Sequence, residues 1–107
     1  MNRHIVCALL LALVASFAQA GGNKTRGQEL SAPCAACHGA DGNSVAPDFP
    51  RLAGQHESYL FRALQDYKSG ARKNAIMAGQ VENLKKADMA DLAAYFSSLA
   101  GPLHTKH

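Results

Sequence analysis

The chain has 107 residues, with eleven Lys and Arg against eight Asp and Glu and a formal net charge of +3. That balance, with no aromatic residues interleaved among the cations, excludes the strongly basic face of a nucleic-acid binder. The length allows one domain, and one too small to build a large core from its own side chains.

Residues 1–20, MNRHIVCALLLALVASFAQA, begin with Arg3, run apolar from Ile5 to Ala18 and carry small residues at Ala18 and Ala20. This is the pattern of a secretory signal cleaved after Ala20, and the run is too short to span a bilayer comfortably. Cys7 lies inside the run rather than at its end, so it does not mark lipid attachment. Cleavage leaves residues 21–107 as a single exported domain in the periplasm, without a membrane span and with two cysteines, Cys34 and Cys37.

The coarse reading of that domain is all-α, since no strand-like alternation occurs. A short helix is expected over about 25–33, leading into the cysteine motif. GADGNSVAPDFPRLAGQ follows, dense in Gly, Pro, Asp and Asn, and reads as an extended loop. Over 56–68, Tyr59, Leu60, Ala63, Leu64 and Tyr67 recur at helical spacing, and Gly70 is placed to end the helix. GARKNAIMAGQVENL reads as a second irregular stretch, carrying Met77. The last helix, about 87–99, sets Met89, Leu92, Ala93, Phe96 and Leu99 on one face, and the tail GPLHTKH reads as frayed. Long loops in so small a domain usually wrap something.

The pentapeptide CAACH, Cys34 to His38, has four competing readings. A dithiol redox pair needs a preceding strand and a βαβ setting, which are missing. A tetrahedral zinc site needs four ligands, and adjacent Cys37 and His38 fit poorly around one small ion. A disulfide across two residues leaves His38 without a role. Covalent haem attachment uses all three residues. On one helical turn the two thiols face the same way and can add to two vinyl groups on one porphyrin edge, and His38 then turns a ring nitrogen to the iron. The export signal and the lack of any other cysteine in 21–107 fit that reading.

Candidates for the iron's opposite face are Met77, Met89, His56, His104 and His107. Met89 falls on the apolar face of the last helix and reads as core. His104 and His107 read as solvated, and His56 as exposed or capping. Met77, in an irregular stretch 39 residues past His38, has enough chain before it to pass around the haem edge.

CAACHGADGNS, PDFPRLAGQHESYL, LQDYKSGARKN, IMAG and DMADLAAYF together resemble the class I c-type cytochromes, in particular the small bacterial periplasmic carriers and single domains of their dihaem relatives. The resemblance covers about 27–99. It implies the cytochrome c fold, three to four helices wrapped around one haem c, with thioethers at Cys34 and Cys37, His38 as proximal ligand and Met77 as distal ligand. It further implies that Pro50 offers its carbonyl to the other ring nitrogen of His38, fixing the imidazole and raising its basicity. Leu52 would pack on the haem face, and Gly27 would let the first helix cross the last near Tyr95. Two positions depart from the pattern. Gln80 stands where relatives often have a second methionine. Lys85 and Lys86 stand where the last helix commonly begins with Ser and acids, opposing the helix dipole by up to about 0.3–1 kcal/mol each.

Two strong axial ligands leave the iron no open position, and a thioether favours Fe(II). With no acid–base pair or activated nucleophile in the chain, the expectation is a monomeric electron carrier rather than an enzyme. It would shuttle single electrons between redox proteins: a donor, and a terminal oxidase or reductase. Lys68, Arg72, Lys73, Lys85 and Lys86 flank Met77 in sequence and would steer it to an acidic partner surface. The alternatives are a haem subunit of a larger oxidase or dehydrogenase, and a gas- or peroxide-binding sensor in which Met77 is displaced.

Overall fold

The structure is a computed structural model that describes residues 21–44, 46 and 48–101. The signal segment, Cys7, His104 and His107 lie outside the described residues. Five helices occur in the order α1 (Lys24–Leu30), α2 (Ala32–His38), α3 (Glu57–Ser69), α4 (Ala75–Val81) and α5 (Lys86–Ser98), with no strand among the described residues.

The single helix expected over 25–33 is two. Asn23 caps α1, its side-chain oxygen accepting from the Arg26 N–H at 3.0 Å. The helix ends at Ser31, whose hydroxyl donates to the Gln28 carbonyl at 2.7 Å. Pro33 is the reason for the break: lacking an N–H, it fits the first turn of a new helix and not the last turn of the old one. Here it opens α2, which gives the cysteine motif a helix of its own.

Helix α3 matches the apolar spacing within one residue at each end. His56 occupies its N-cap position, exposed, and Gly70 (φ 85°) ends it in the left-handed conformation that favours glycine.

The stretch carrying Met77 is not irregular. Asn74 accepts the Met77 N–H at 3.1 Å and caps α4, so the methionine rides on a helix. The stretch resists reading because α4 has little apolar face, with Ile76 62% exposed.

Helix α5 supplies most of the core, with Met89, Leu92, Ala93, Ala94 and Phe96 all buried. Met89 is core, as its place on the apolar face predicts, whereas Leu99, just past the helix end, is only half-buried. Asp88 in the first turn accepts the Lys85 N–H at 2.9 Å and pairs with Arg26 at 3.0 Å. Those two contacts hold the Asp88 carboxyl below its ordinary range, and its negative charge offsets Lys85 and Lys86 at that terminus.

Helix α1 crosses α5, and α3 packs on both α5 and α4. Asp91, 8% exposed, is matched at the crossing by the Asn23 N–H at 2.7 Å and Arg26 Nε at 3.4 Å. Gly27 makes the close approach possible, as the resemblance implies: a Cβ there would sit 2.0 Å from the Asp91 carbonyl oxygen and 2.7 Å from Tyr95 Cβ. Alanine normally gains about 1 kcal/mol over glycine inside a helix. Here the clash is with backbone and wins, so Gly27→Ala is expected to lower stability by at least about 1–3 kcal/mol. Urea unfolding of the haem-loaded protein measures it, and a variant as stable as the parent would contradict the crossing.

Candidate functional site

The helices leave a cavity of about 470 Å³ between α2, the loop from Asp48 to Gln55, and α3, α4 and α5. It lies within the range of about 300–1,000 Å³ typical of ligand pockets. Cys34, Cys37, His38, Pro50, Leu52 and Met77 all line it. Leu60, Leu64, Val81, Leu84, Leu92 and Phe96 give it apolar walls that back onto the core, while the exposed Cys37, Tyr59, Arg72, Ile76 and Gln80 place its mouth at the surface.

His38 closes α2 and is 5% exposed. Its Nδ1 lies 2.6 Å from the Pro50 carbonyl oxygen, the geometry of an N–H donating to that carbonyl. The Gly42 carbonyl accepts from the Leu52 and Ala53 N–H groups at 2.8 and 3.1 Å, which folds the loop back and brings Pro50 over the ring. Phe49 adds an edge contact, centroids 6.4 Å apart. With Nδ1 occupied, Nε2 is the nitrogen left for a ligand, and it has no hydrogen-bond partner among the described residues.

Cys34 is half-buried, Cys37 exposed, and both are free thiols. Burial pushes the Cys34 thiol up, the opposite of what a dithiol redox pair needs in its nucleophile. Among the described residues no three His, Cys, Asp or Glu side chains gather as a metal-binding group, so CAACH does not close around one small ion. Two free thiols and an imidazole nitrogen beside a cavity with apolar walls suit a covalently held haem, and the Met77 thioether lines the same cavity.

Of the other distal candidates in the described residues, Met89 is buried in the core and His56 is exposed, and neither lines the cavity. Gln80 does line it, with an amide where a second methionine would compete as a ligand. Tyr59, Tyr67 and Arg72 line it as well. The two tyrosines carried a signal in the sequence, sharing a helix face at i and i+8. Arg72 carried none: read along the chain it is one more cation near Met77.

The family described as Cytochrome c matches residues 25–100. The chain is 49% identical over 98 residues to cytochrome c4 of Pseudomonas aeruginosa, covering 92% of this chain and 49% of that one. It is 40% identical over 80 residues to cytochrome c-554(548) of Halomonas halodenitrificans, covering 72% of this chain and 96% of that one. Among solved structures, reduced recombinant cytochrome c4 from Pseudomonas stutzeri superposes with a TM-score of 0.72 at 48% identity, covering 75% of this chain and 47% of that one. The chain thus spans about half the length of the cytochromes c4 it matches, and nearly all of the shorter relative. The family match over residues 25–100, with these identities and this superposition, leaves one conclusion: the chain belongs to the cytochrome c family, and its cofactor is a covalently bound haem c.

Proposed function

We propose that the chain is a periplasmic carrier of single electrons, exported by residues 1–20 and cleaved after Ala20. Haem c supplies a one-electron Fe(III)/Fe(II) couple when bound. Cys34 and Cys37 hold it by thioethers, and His38 ligates through Nε2 while Nδ1–H donates to the Pro50 carbonyl. That hydrogen bond fixes the ring and makes it a stronger donor. Met77, on α4, would supply the second iron ligand, and Leu52 would pack against the haem.

With His38 and Met77 both committed to the iron, no place would be left for a substrate, and the chain would carry electrons without making or breaking a bond. The apolar walls exclude water, and with the soft thioether they favour Fe(II) and raise the potential. The observation that carries the reading is the joint placement of His38 and Met77 around one apolar cavity, with Nδ1 already committed to Pro50. The partners are a reduced donor protein and an acceptor oxidase or reductase, met through a small transient interface. Lys73, Lys85 and Lys86 are exposed and steer the encounter. Lys68 donates to the Leu84 carbonyl, which ties that cation to the protein's own backbone.

The visible spectrum of the exported, haem-loaded protein tests the reading. The expected result is a low-spin covalent haem with a methionine–iron band when oxidised and no response to CO when reduced. Ready CO binding by the untreated reduced protein would make sensing the function instead, and firm co-purification with a dehydrogenase or oxidase would make it a subunit.

A further inference from the structure

A helix leaves the carbonyls of its last turn without donors of its own. At the end of α5 the loop that carries Pro50 supplies two. The Gly54 N–H donates to the Phe96 carbonyl at 3.2 Å, and Asn43 Nδ2 to the Ala100 carbonyl at 3.0 Å. These donors stand on either side of Pro50 in the chain, so the loop is pinned to the end of α5 at both flanks. The fit at the Asn43 flank is close. A Cβ on Gly101 would lie 2.4 Å from Asn43 Oδ1 and 3.1 Å from Ala53 Cβ.

Asn43 is held in that place by its own backbone. Its N–H donates to Asp41 Oδ1 at 2.9 Å, and the neighbouring Gly42 carries the carbonyl that accepts from Leu52 and Ala53. Asn43 Oδ1 is buried and has no hydrogen-bond partner among the described residues. A carboxamide offers two N–H donors on one side and only an acceptor on the other. Turned over, it would set that oxygen against the Ala100 carbonyl, acceptor facing acceptor. The bond from Nδ2 therefore decides its orientation, at the cost of an oxygen left unmatched.

We propose that Asn43 is a positioning residue for the iron's histidine ligand. Its carboxamide latches the loop to the end of α5 and so keeps the Pro50 carbonyl on the Nδ1–H of His38, 2.6 Å away. The Ser44 and Arg51 bonds, Ala46 N–H to Ser44 Oγ and Arg51 Nε to the Ser44 carbonyl, stiffen the loop internally without tying it to a helix. The strength of the His38–Pro50 bond is thus set partly from the far end of the last helix. The inference rests on the haem-carrier reading above.

Proton NMR of the reduced, haem-loaded protein tests it, through the shift and the hydrogen-exchange rate of the His38 Nδ1 proton. Asn43→Leu keeps the size and removes the donor. It is expected to move that proton upfield and to speed its exchange about tenfold, the scale of one ordinary hydrogen bond. The Leu64 amide in α3 should accelerate much less. Gly101→Ala should act in the same direction from the helix side, by crowding Asn43 with its carboxamide intact. Ser98→Ala removes a hydroxyl that donates to the Tyr95 carbonyl at 2.6 Å on the same end of α5, and should leave the proton as it is. An unmoved His38 proton in Asn43→Leu overturns the proposal, as does equal acceleration of the Leu64 amide, which marks general destabilisation. If Asn43→Leu does not mature, an unmoved proton in Gly101→Ala overturns it. The methionine–iron band of each oxidised variant reports separately on the carrier reading, which stands where that band is kept whatever the His38 proton does.

Discussion

Replacing Met77 by alanine is expected to leave the haem covalently attached, abolish the methionine–iron band, open the reduced protein to CO and lower the potential sharply. Attachment survives because the cysteines and His38 sit on α2, whereas Met77 sits on α4, a separate helix capped by Asn74. Axial-ligand identity spans about 0.8 V across haem proteins, so loss of a thioether ligand should move the potential by a substantial part of that range. Packing loss is the smaller effect. Met77 is half-buried, which puts it at or below the low end of the roughly 2–5 kcal/mol typical of Met→Ala in cores. Spectra with and without CO, and a redox titration, give the outcome. A retained band and indifference to CO would place the distal ligand outside this cavity's described lining, where Met77 is the sole methionine.

The second large effect is on folding. The Cys34→Ala/Cys37→Ala chain, produced without haem, is expected to be largely unfolded at neutral pH and 25 °C, with narrow amide dispersion and no cooperative urea transition. The reason is the shape of the core. Its large buried side chains among the described residues are few, Leu60, Val81, Met89, Leu92 and Phe96, while Leu52, Leu64 and Leu84 are half-covered and line the cavity. Without haem the 470 Å³ cleft leaves its apolar walls in water, forfeiting about 25 cal/mol for each Å² of apolar surface that stays wet. The whole stability of a domain is about 5–15 kcal/mol. Partial collapse recovers some of that, but collapse would have to close α2 onto α3 and abandon the native loop. A well-dispersed spectrum from the haem-free double variant would show that the side chains suffice.

What the sequence reveals follows the range over which each feature is determined. Helices α3 and α5 are legible because their apolar spacing is written within one segment. The split between α1 and α2 is legible in principle, from Pro33, but seven-residue helices carry little periodicity. Helix α4 escapes because Ile76 faces outward and the segment's one clear signal is a capping residue, Asn74. At the site, Cys34, Cys37 and His38 are legible because their chemistry needs a fixed local spacing. Pro50 contributes a main-chain oxygen, which no side-chain pattern announces, so it enters through family resemblance alone. Arg72 reads as a surface charge along the chain, because the turn at Gly70 that folds it inward is a matter of three dimensions.

The crossing of α1 over α5 has a consequence for the whole wrap. Residues 62 to 68 positions apart meet there through Asn23–Asp91 and Arg26–Asp88. Closing a loop of that length costs about 3–4 kcal/mol in chain entropy, growing only slowly with length. Every residue that lines the cavity falls inside the loop or on α5 itself. The crossing thus works as a clasp on a purse: it touches none of the contents, yet it shortens the search by which α2, α3 and α4 find their places around them. Loosening it should be felt as a slower, more reluctant closure around the haem, with the site's own residues untouched.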